Sequence, residues 1–292
     1  MANMTSWSRH YGVIMIFAVA GVLSAPSAEA QSPAAAATPR LADGKPDLSG
    51  VWQGGRGGAG AQPDEAGNFS QLVKALDCHP GQPVCVAGIN QSLDGTFTAR
   101  MEPNRPLYKP EYWEKVQYLD RNSVTEEPIL TCQPYGVPRM GAPTKIVQTA
   151  TEIIFLYAQG GASAAPQDFR VISTDGREHD PIRAQDLTYY GHSVGHWEGD
   201  TLVVDSVAFN DLTWLAPGGY FHSNNMRVIE RFRREGNSLE YQVTVIDPDV
   251  LLEPWEMAPV IARLNTNPEF YIPEGLPCDE RDSENITLRI RH

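Results

Sequence analysis

MRVIERFRREGNSLEYQVTVI, residues 226–246, is the stretch that decides the fold class. Leu239, Tyr241, Val243 and Val245 alternate with Glu240, Gln242 and Thr244, which is the period of a strand with one buried face. Glu235-Gly236-Asn237 is turn chemistry, and it joins this run to the preceding run Met226–Arg234 as a hairpin. Upstream, Glu198-Gly199-Asp200 does the same for His192–Trp197 and Thr201–Phe209. Further strand-like runs are Lys145–Gln148, Ile153–Tyr157, Phe169–Ser173 and Val260–Leu264. Asp175-Gly176 is a further tight-turn dipeptide. No helical periodicity separates these runs, so a parallel βαβ arrangement is excluded. The expected fold is all-β, an antiparallel barrel or strongly bent sheet of lipocalin-like kind.

The N-terminal half reads differently. Asp43 to Trp52 is turn chemistry leading into a short strand, and residues 53–68 are Gly-rich. Their Gly54-Gly55-Arg56-Gly57-Gly58 lacks the strand, helix and Lys-Ser/Thr of a phosphate loop. Pro103, Pro106 and Pro110 break regular structure, leaving room for one short helix over Glu111–Leu119 among long loops. Residues 43–292 are therefore expected as a single β-rich domain, with 31–42 a low-complexity linker.

Residues 1–30 read as a signal peptide. Arg9 and His10 precede an apolar run, Val13–Leu23, of eleven residues. A membrane-spanning helix needs roughly 20. Pro26 and then Ala28-Glu29-Ala30 supply the break and the small-x-small cleavage pattern. The expected location is periplasmic or secreted, with no membrane association after cleavage. Removing residues 1–30 leaves 262 residues and an unchanged net charge of −13, because Arg9 and Glu29 cancel. With a pI near 4.9, binding to nucleic acid is electrostatically opposed. The basic Arg231–Arg234 stretch is bracketed by Glu230 and Glu235.

Four cysteines in an exported chain favour disulfides. Of three possible pairings, Cys78–Cys85 across a turn-rich loop with Cys132–Cys278 is the cheapest by chain geometry. A zinc site is the weaker rival, since the chain has no CxxC.

The segment from Gly191 to Ser223 is densest in functional residue types. His192 and His196 are four apart on a strand and share a face. Asp211 and His222 lie on the connection Asn210–Asn225, longer than a simple loop usually is. Gly191-x-Ser193-x-Gly195 matches a nucleophile elbow literally, but no strand-to-helix turn follows, so the match reads as coincidence.

Several of these motifs together resemble a family of exported, mostly uncharacterised bacterial proteins. They are DGKPDLSGVW at 43–52, Cys132-Gln133-Pro134-x-Gly136-x-Pro138-Arg139, Ile146-Val147-Gln148-Thr149, Asp175-Gly176-Arg177-x-His179, GHSVG at 191–195 with WEGDTLVVD at 197–205, and Glu230-Arg231-Phe232. The resemblance covers most of the mature chain and implies export, but brings no reaction with it. This chain departs from the pattern at His196, where the family has Arg, and at Arg227, where it has His. The departure counts against a metal held by His192 and His196.

His192, His222 and Glu230 are the expected acid–base residues. Arg139, Arg177, Trp197, Asp211, Trp214 and Arg231 are the expected substrate contacts. A Glu230 facing into the barrel would have its pKa raised by desolvation, or else would sit paired with an Arg. Glu230 and Arg231, being consecutive on a strand, face opposite sides. Three functions stay open: an enzyme (lyase, isomerase or hydrolase) acting on a small, partly apolar molecule; a lipocalin-like binder; and a metal-binding protein. The pattern calls for no cofactor.

Overall fold

The computed structural model describes residues 37–54, 105–158 and 168–272, all within one compact unit spanning 35–292. The segment expected to be a signal peptide, most of the Gly-rich stretch, and Cys78, Cys85 and Cys278 lie outside the described residues. Twelve strands are described: β1 (Gly50–Gln53), β2 (Lys145–Gln148), β3 (Glu152–Tyr157), β4 (Asp168–Ser173), β5 (His192–Glu198), β6 (Thr201–Val207), β7 (Trp214–Ala216), β8 (Tyr220–Phe221), β9 (Arg227–Glu235), β10 (Ser238–Ile246), β11 (Trp255–Glu256) and β12 (Val260–Asn265). Nine of them close into a barrel in the order β10-β12-β1-β2-β3-β4-β5-β6-β9, and β9 pairs back onto β10. β11 extends the edge of β10 beyond β12.

The ladder β9–β10 is the longest, running from Ser238↔Glu235 to Ile246↔Arg227 around the two-residue turn Gly236-Asn237. The alternation of β10 is realised: Leu239, Tyr241, Val243 and Val245 face inward and are fully buried. On β9 the inward set is Val228, Glu230, Phe232 and Arg234, with Arg231 on the outer face. Phe155, Tyr157, Phe232 and Tyr241 fill the middle of the barrel. Each such aromatic, taken out of water, contributes on the order of 2 kcal/mol. The expected all-β, lipocalin-like antiparallel barrel is thus the architecture observed, with these side chains lining its interior.

One seam differs. β4 and β5 run parallel and meet at a single pair, Ser173↔Val194, whereas every other barrel pairing is antiparallel. A parallel pair cannot be joined by a tight turn, so residues 174–191 cross over outside the barrel. The turn at Asp175-Gly176 opens this crossover instead of closing a hairpin.

The expected helix is present as α1 (Trp113–Arg121), preceded by a 3₁₀ turn at Pro110–Tyr112 and followed by α2 (Ser123–Glu126). α1 buries Trp113 and Val116. No helix among the described residues is long and apolar enough to cross a membrane.

Two expectations need correction. Residues 37–42, read as the end of a linker, are tied to the barrel. Thr38 Oγ1 donates to the carbonyl of Arg234 and accepts from Gly236 N, and Arg40 pairs with Asp200 at 2.6 Å. Low complexity missed this because two polar side chains supply the attachment. The second correction concerns Asn210–Asn225, which is more than an open loop. Its β7–β8 hairpin is buried against α1.

Candidate functional site

The crossover 174–191 stands off the barrel and encloses a cleft of about 620 Å³ against β4 and the start of β5. Its lining includes Val171, Ser173, Arg177, His179, Arg183 and His192. An adjoining depression of about 450 Å³ shares Arg177, His179 and Val194 with it and adds His196 and Asp205. Gly191 lets β5 begin here. Its φ is +67°, and a Cβ would meet the carbonyl oxygen of Val207 at 2.5 Å and the Phe209 ring at 2.9 Å.

A chain of polar side chains runs along this wall. Arg227 holds Asp205 through two contacts of 2.8 and 2.5 Å, and the Asp205 side chain is 15% exposed. Asp205 Oδ2 lies 3.6 Å from His179 Nε2, which is longer than a hydrogen bond but within ion-pair reach. His179 Nδ1 lies 2.9 Å from His192 Nδ1. His179 Nε2 is buried without a hydrogen-bond partner among the described residues, and the negative charge of Asp205 beside it favours the tautomer that carries the His179 proton on Nε2 and leaves Nδ1 to accept. His192 therefore donates through Nδ1, and its Nε2 carries a lone pair with no side-chain partner among the described residues. Burial, and then unfavourable electrostatic interaction with His179 and with the Arg183 guanidinium, hold His192 below the usual histidine pKa, against a smaller opposing effect of Asp180. The ring is thus neutral near pH 7 and is free to accept a proton.

The barrel interior carries a second polar group. Arg170, from β4, meets Glu230 at 2.6 Å, and both side chains are almost fully buried. Arg170 also donates to Tyr157 Oη at 3.3 Å, Ser193 Oγ at 3.1 Å and Ser206 Oγ at 3.0 Å, and Tyr241 Oη donates to the other Glu230 oxygen. Burial opposes the charge on Arg170, but Glu230 and Tyr157 outweigh it, so its pKa stays above the ordinary value.

Against these two groups the expected site residues sort clearly. Of the three acid–base candidates only His192 lines the cleft. Glu230 is 0% exposed and is held by Arg170 and Tyr241, the paired alternative weighed from the sequence. His222 is buried, with Nε2 at 2.8 Å from Thr213 Oγ1 and Nδ1 at 3.0 Å from the Ser223 carbonyl. Burial lowers its pKa, so it is a satisfied neutral histidine. The three do not share one cavity.

Among the expected substrate contacts, Arg177 lines the cleft but is bound to Asp175, whose pKa it pulls down to about 2. Arg139 forms a largely buried pair with Glu127 at 2.6 Å. Arg231 pairs with Glu198 on the outer face. Trp214 is buried in the wholly buried strand β7, and Trp197 packs on the core because the alternation of β5 turns it inward. Asp211 is exposed on the β6–β7 connection, outside the cleft lining.

His196 shares the outer face with His192 but is exposed and paired with Glu198 at 3.2 Å. The described residues hold no group of three metal-ligating side chains. Ser193 points inward onto Ser206, and Gly195 lets Thr174 and Ile172 pack within 3.3 Å of where a Cβ would stand. The glycine spacing of 191–195 thus serves packing. Cys132, in a left-handed conformation after the 3₁₀ turn Pro128–Thr131, is engaged rather than a free thiol. Its candidate partners lie outside the described residues.

His179, Arg183 and Asp205 were missed as a working set. The signal was Asp175-Gly176-Arg177-x-His179 lying thirteen residues before His192. Two histidines bracketing a polar, turn-rich connection between strands are placed to meet. Comparison with protein families, curated proteins and solved structures finds no match for this chain.

Proposed function

We propose that this chain is an exported hydrolase acting on a small, partly apolar carbonyl compound, with His192 as general base. One observation carries the reading. The Asp205–His179–His192 chain ends on an unengaged Nε2 in an open cleft. Nε2 takes a proton from water, the resulting hydroxide attacks the substrate carbonyl, and the same proton is returned to the leaving group. His179 positions the ring and shares the charge that develops on it, and Asp205 orients His179. The exposure of the cleft favours hydrolysis over the lyase or isomerase alternatives. An open cleft supplies the water that hydrolysis consumes.

Export, cleavage after Ala30 and the pairing of Cys132 with Cys278 belong to the same proposal, supported by the N-terminal pattern and the even cysteine count. Two measurements on the purified chain test the core of it. Two-bond ¹H–¹⁵N correlation at pH 7 is expected to show His192 protonated at Nδ1. With p-nitrophenyl acetate, His192→Gln is expected to lose about 10²–10⁴ in kcat, with Tm shifted by no more than about 2 °C. A proton on Nε2, or turnover indifferent to His192, removes the assignment.

A further inference from the structure

Strands β2–β4 present an apolar strip on the outside of the barrel, continuous with the cleft. Val147 pairs with Ile154 and Ile154 with Val171, while Leu156 pairs with Phe169 one row away. Cross-strand neighbours of this kind lie about 5 Å apart, so the five side chains form one surface. Val147 is 38%, Val171 50% and Phe169 63% exposed. Val171 belongs to both strip and cleft. A contiguous apolar surface left open beside a polar cleft marks a contact site.

Arg183 is the second observation. Its backbone N–H is bound by Asp180 Oδ1, which fixes the 3₁₀ turn that carries it. Its guanidinium makes no side-chain hydrogen bond or close ion pair with the described residues and feels Asp180 only at longer range, in contrast to Arg177. Glu178, Asp180 and Asp186 line the same cleft and oppose the entry of a free anion. A substrate suited to this lining arrives neutral and becomes anionic only during reaction. We propose that the substrate is an ester with an apolar acyl chain, which lies along the β2–β4 strip while Arg183 stabilises the oxyanion. This rests on His192 being the general base.

The step balances with water as co-reactant. His192 Nε2 removes one proton from water as the oxygen bonds to the carbonyl carbon. The C=O π pair moves onto oxygen, where Arg183 meets it. Collapse restores C=O and breaks the bond to the alkoxide, which takes the proton back from His192. The products are a carboxylic acid and an alcohol.

The test uses the purified full chain with p-nitrophenyl acetate, butyrate and octanoate, and with 2-decanone as an uncleavable probe. The octanoate-to-acetate ratio of kcat/KM is expected to be roughly tenfold or more, and to fall towards one in a Phe169→Ser, Val171→Thr variant. Arg183→Gln is expected to lower kcat on all three esters by about 10²-fold, with partial rescue by Arg183→Lys. 2-Decanone is expected to shift the methyl resonances of Val147 and Val171. Ketone shifts without turnover of any ester overturn the hydrolase reading but leave the strip as the apolar site. His192-dependent turnover indifferent to chain length overturns the strip and leaves the base. A dimer that dissociates in Phe169→Ser assigns the strip to a second copy of this chain and overturns the proposal.

Discussion

The inside and the outside of this barrel are furnished by the same two strands with opposite results. On β5, His192 faces the cleft and Ser193 the interior. On β6, Asp205 faces out and Ser206 in. Both sides assemble carboxylate, cation and hydrogen-bonding side chains. Inside, Arg170 and Glu230 pair with each other and with Tyr157, Tyr241 and the serines, leaving only Arg170 Nε without a partner among the described residues, and all of these residues but the half-buried Ser193 are buried. Outside, the sequence Arg227–Asp205–His179–His192 begins with a paired charge and ends on an atom with no partner. A closed set of contacts holds a fold. An open one can exchange a proton with something that arrives. Residue type does not distinguish the two; the terminus of the chain of contacts does.

This contrast is easiest to break from the inside. Arg170→Leu leaves Glu230 buried without its cation and is expected to cost about 3–5 kcal/mol. Urea unfolding would measure it, and Tm should fall by roughly 10 °C. Stability equal to the parent would mean the interior group is not what holds these strands.

From the outside, Asp205→Asn is expected to act on rate instead. It removes the negative charge beside His179, and kcat should fall about 10–100-fold with little change in the urea midpoint. A large loss of stability with unaltered kcat would place Asp205 with the structural group.

The pH profile sharpens the same distinction. His192 acts as a base when neutral, and its pKa lies below the ordinary 6.5. The rate constant kcat/KM should be level above neutrality and decline only as pH falls below about 6.5. A profile still rising above pH 7.5 would exclude it.

The smallest expected effect is the pH dependence of stability from His222. Its folded pKa is depressed by burial, so below about 6.5 the unfolded chain binds the extra proton first. Its contribution is complete above that pH and is lost as pH falls, at no more than about 1.4 kcal/mol per pH unit. His222→Gln should flatten that part of the curve in chemical denaturation between pH 5 and 7.

Most of the barrel was legible because its strands keep one face apolar. Leu239 to Val245 and Leu202 with Val204 announce themselves by period two. The segment Phe169-Arg170-Val171-Ile172 does not, since Phe and Val alternate with Arg and Ile and either face passes for the core. The structure turns Arg170 inward, where Glu230 and Tyr157 await it, and leaves Phe169 outside. No local pattern states that, because the partner is sixty residues away. The short strands β7, β8 and β11 were missed for their length, two or three residues each. In the site, His192 and Arg177 were legible as polar residues near turns. His179 and Asp205 became partners only when the crossover folded back over β5, a long-range event outside the reach of spacing rules.

The parallel seam between β4 and β5 gives the barrel a weak stitch. Elsewhere neighbouring strands share ladders of two to nine paired residues, but here one pair closes the ring. Thermal breathing of a closed sheet concentrates where fewest bonds must open. Native-state amide exchange should therefore find its fastest barrel positions flanking Ser173 and Val194, with the β9–β10 hairpin slowest. The cleft is built on that stitch, so its two walls belong to the part of the ring that gives most readily, and a bound guest spanning them would act as a suture.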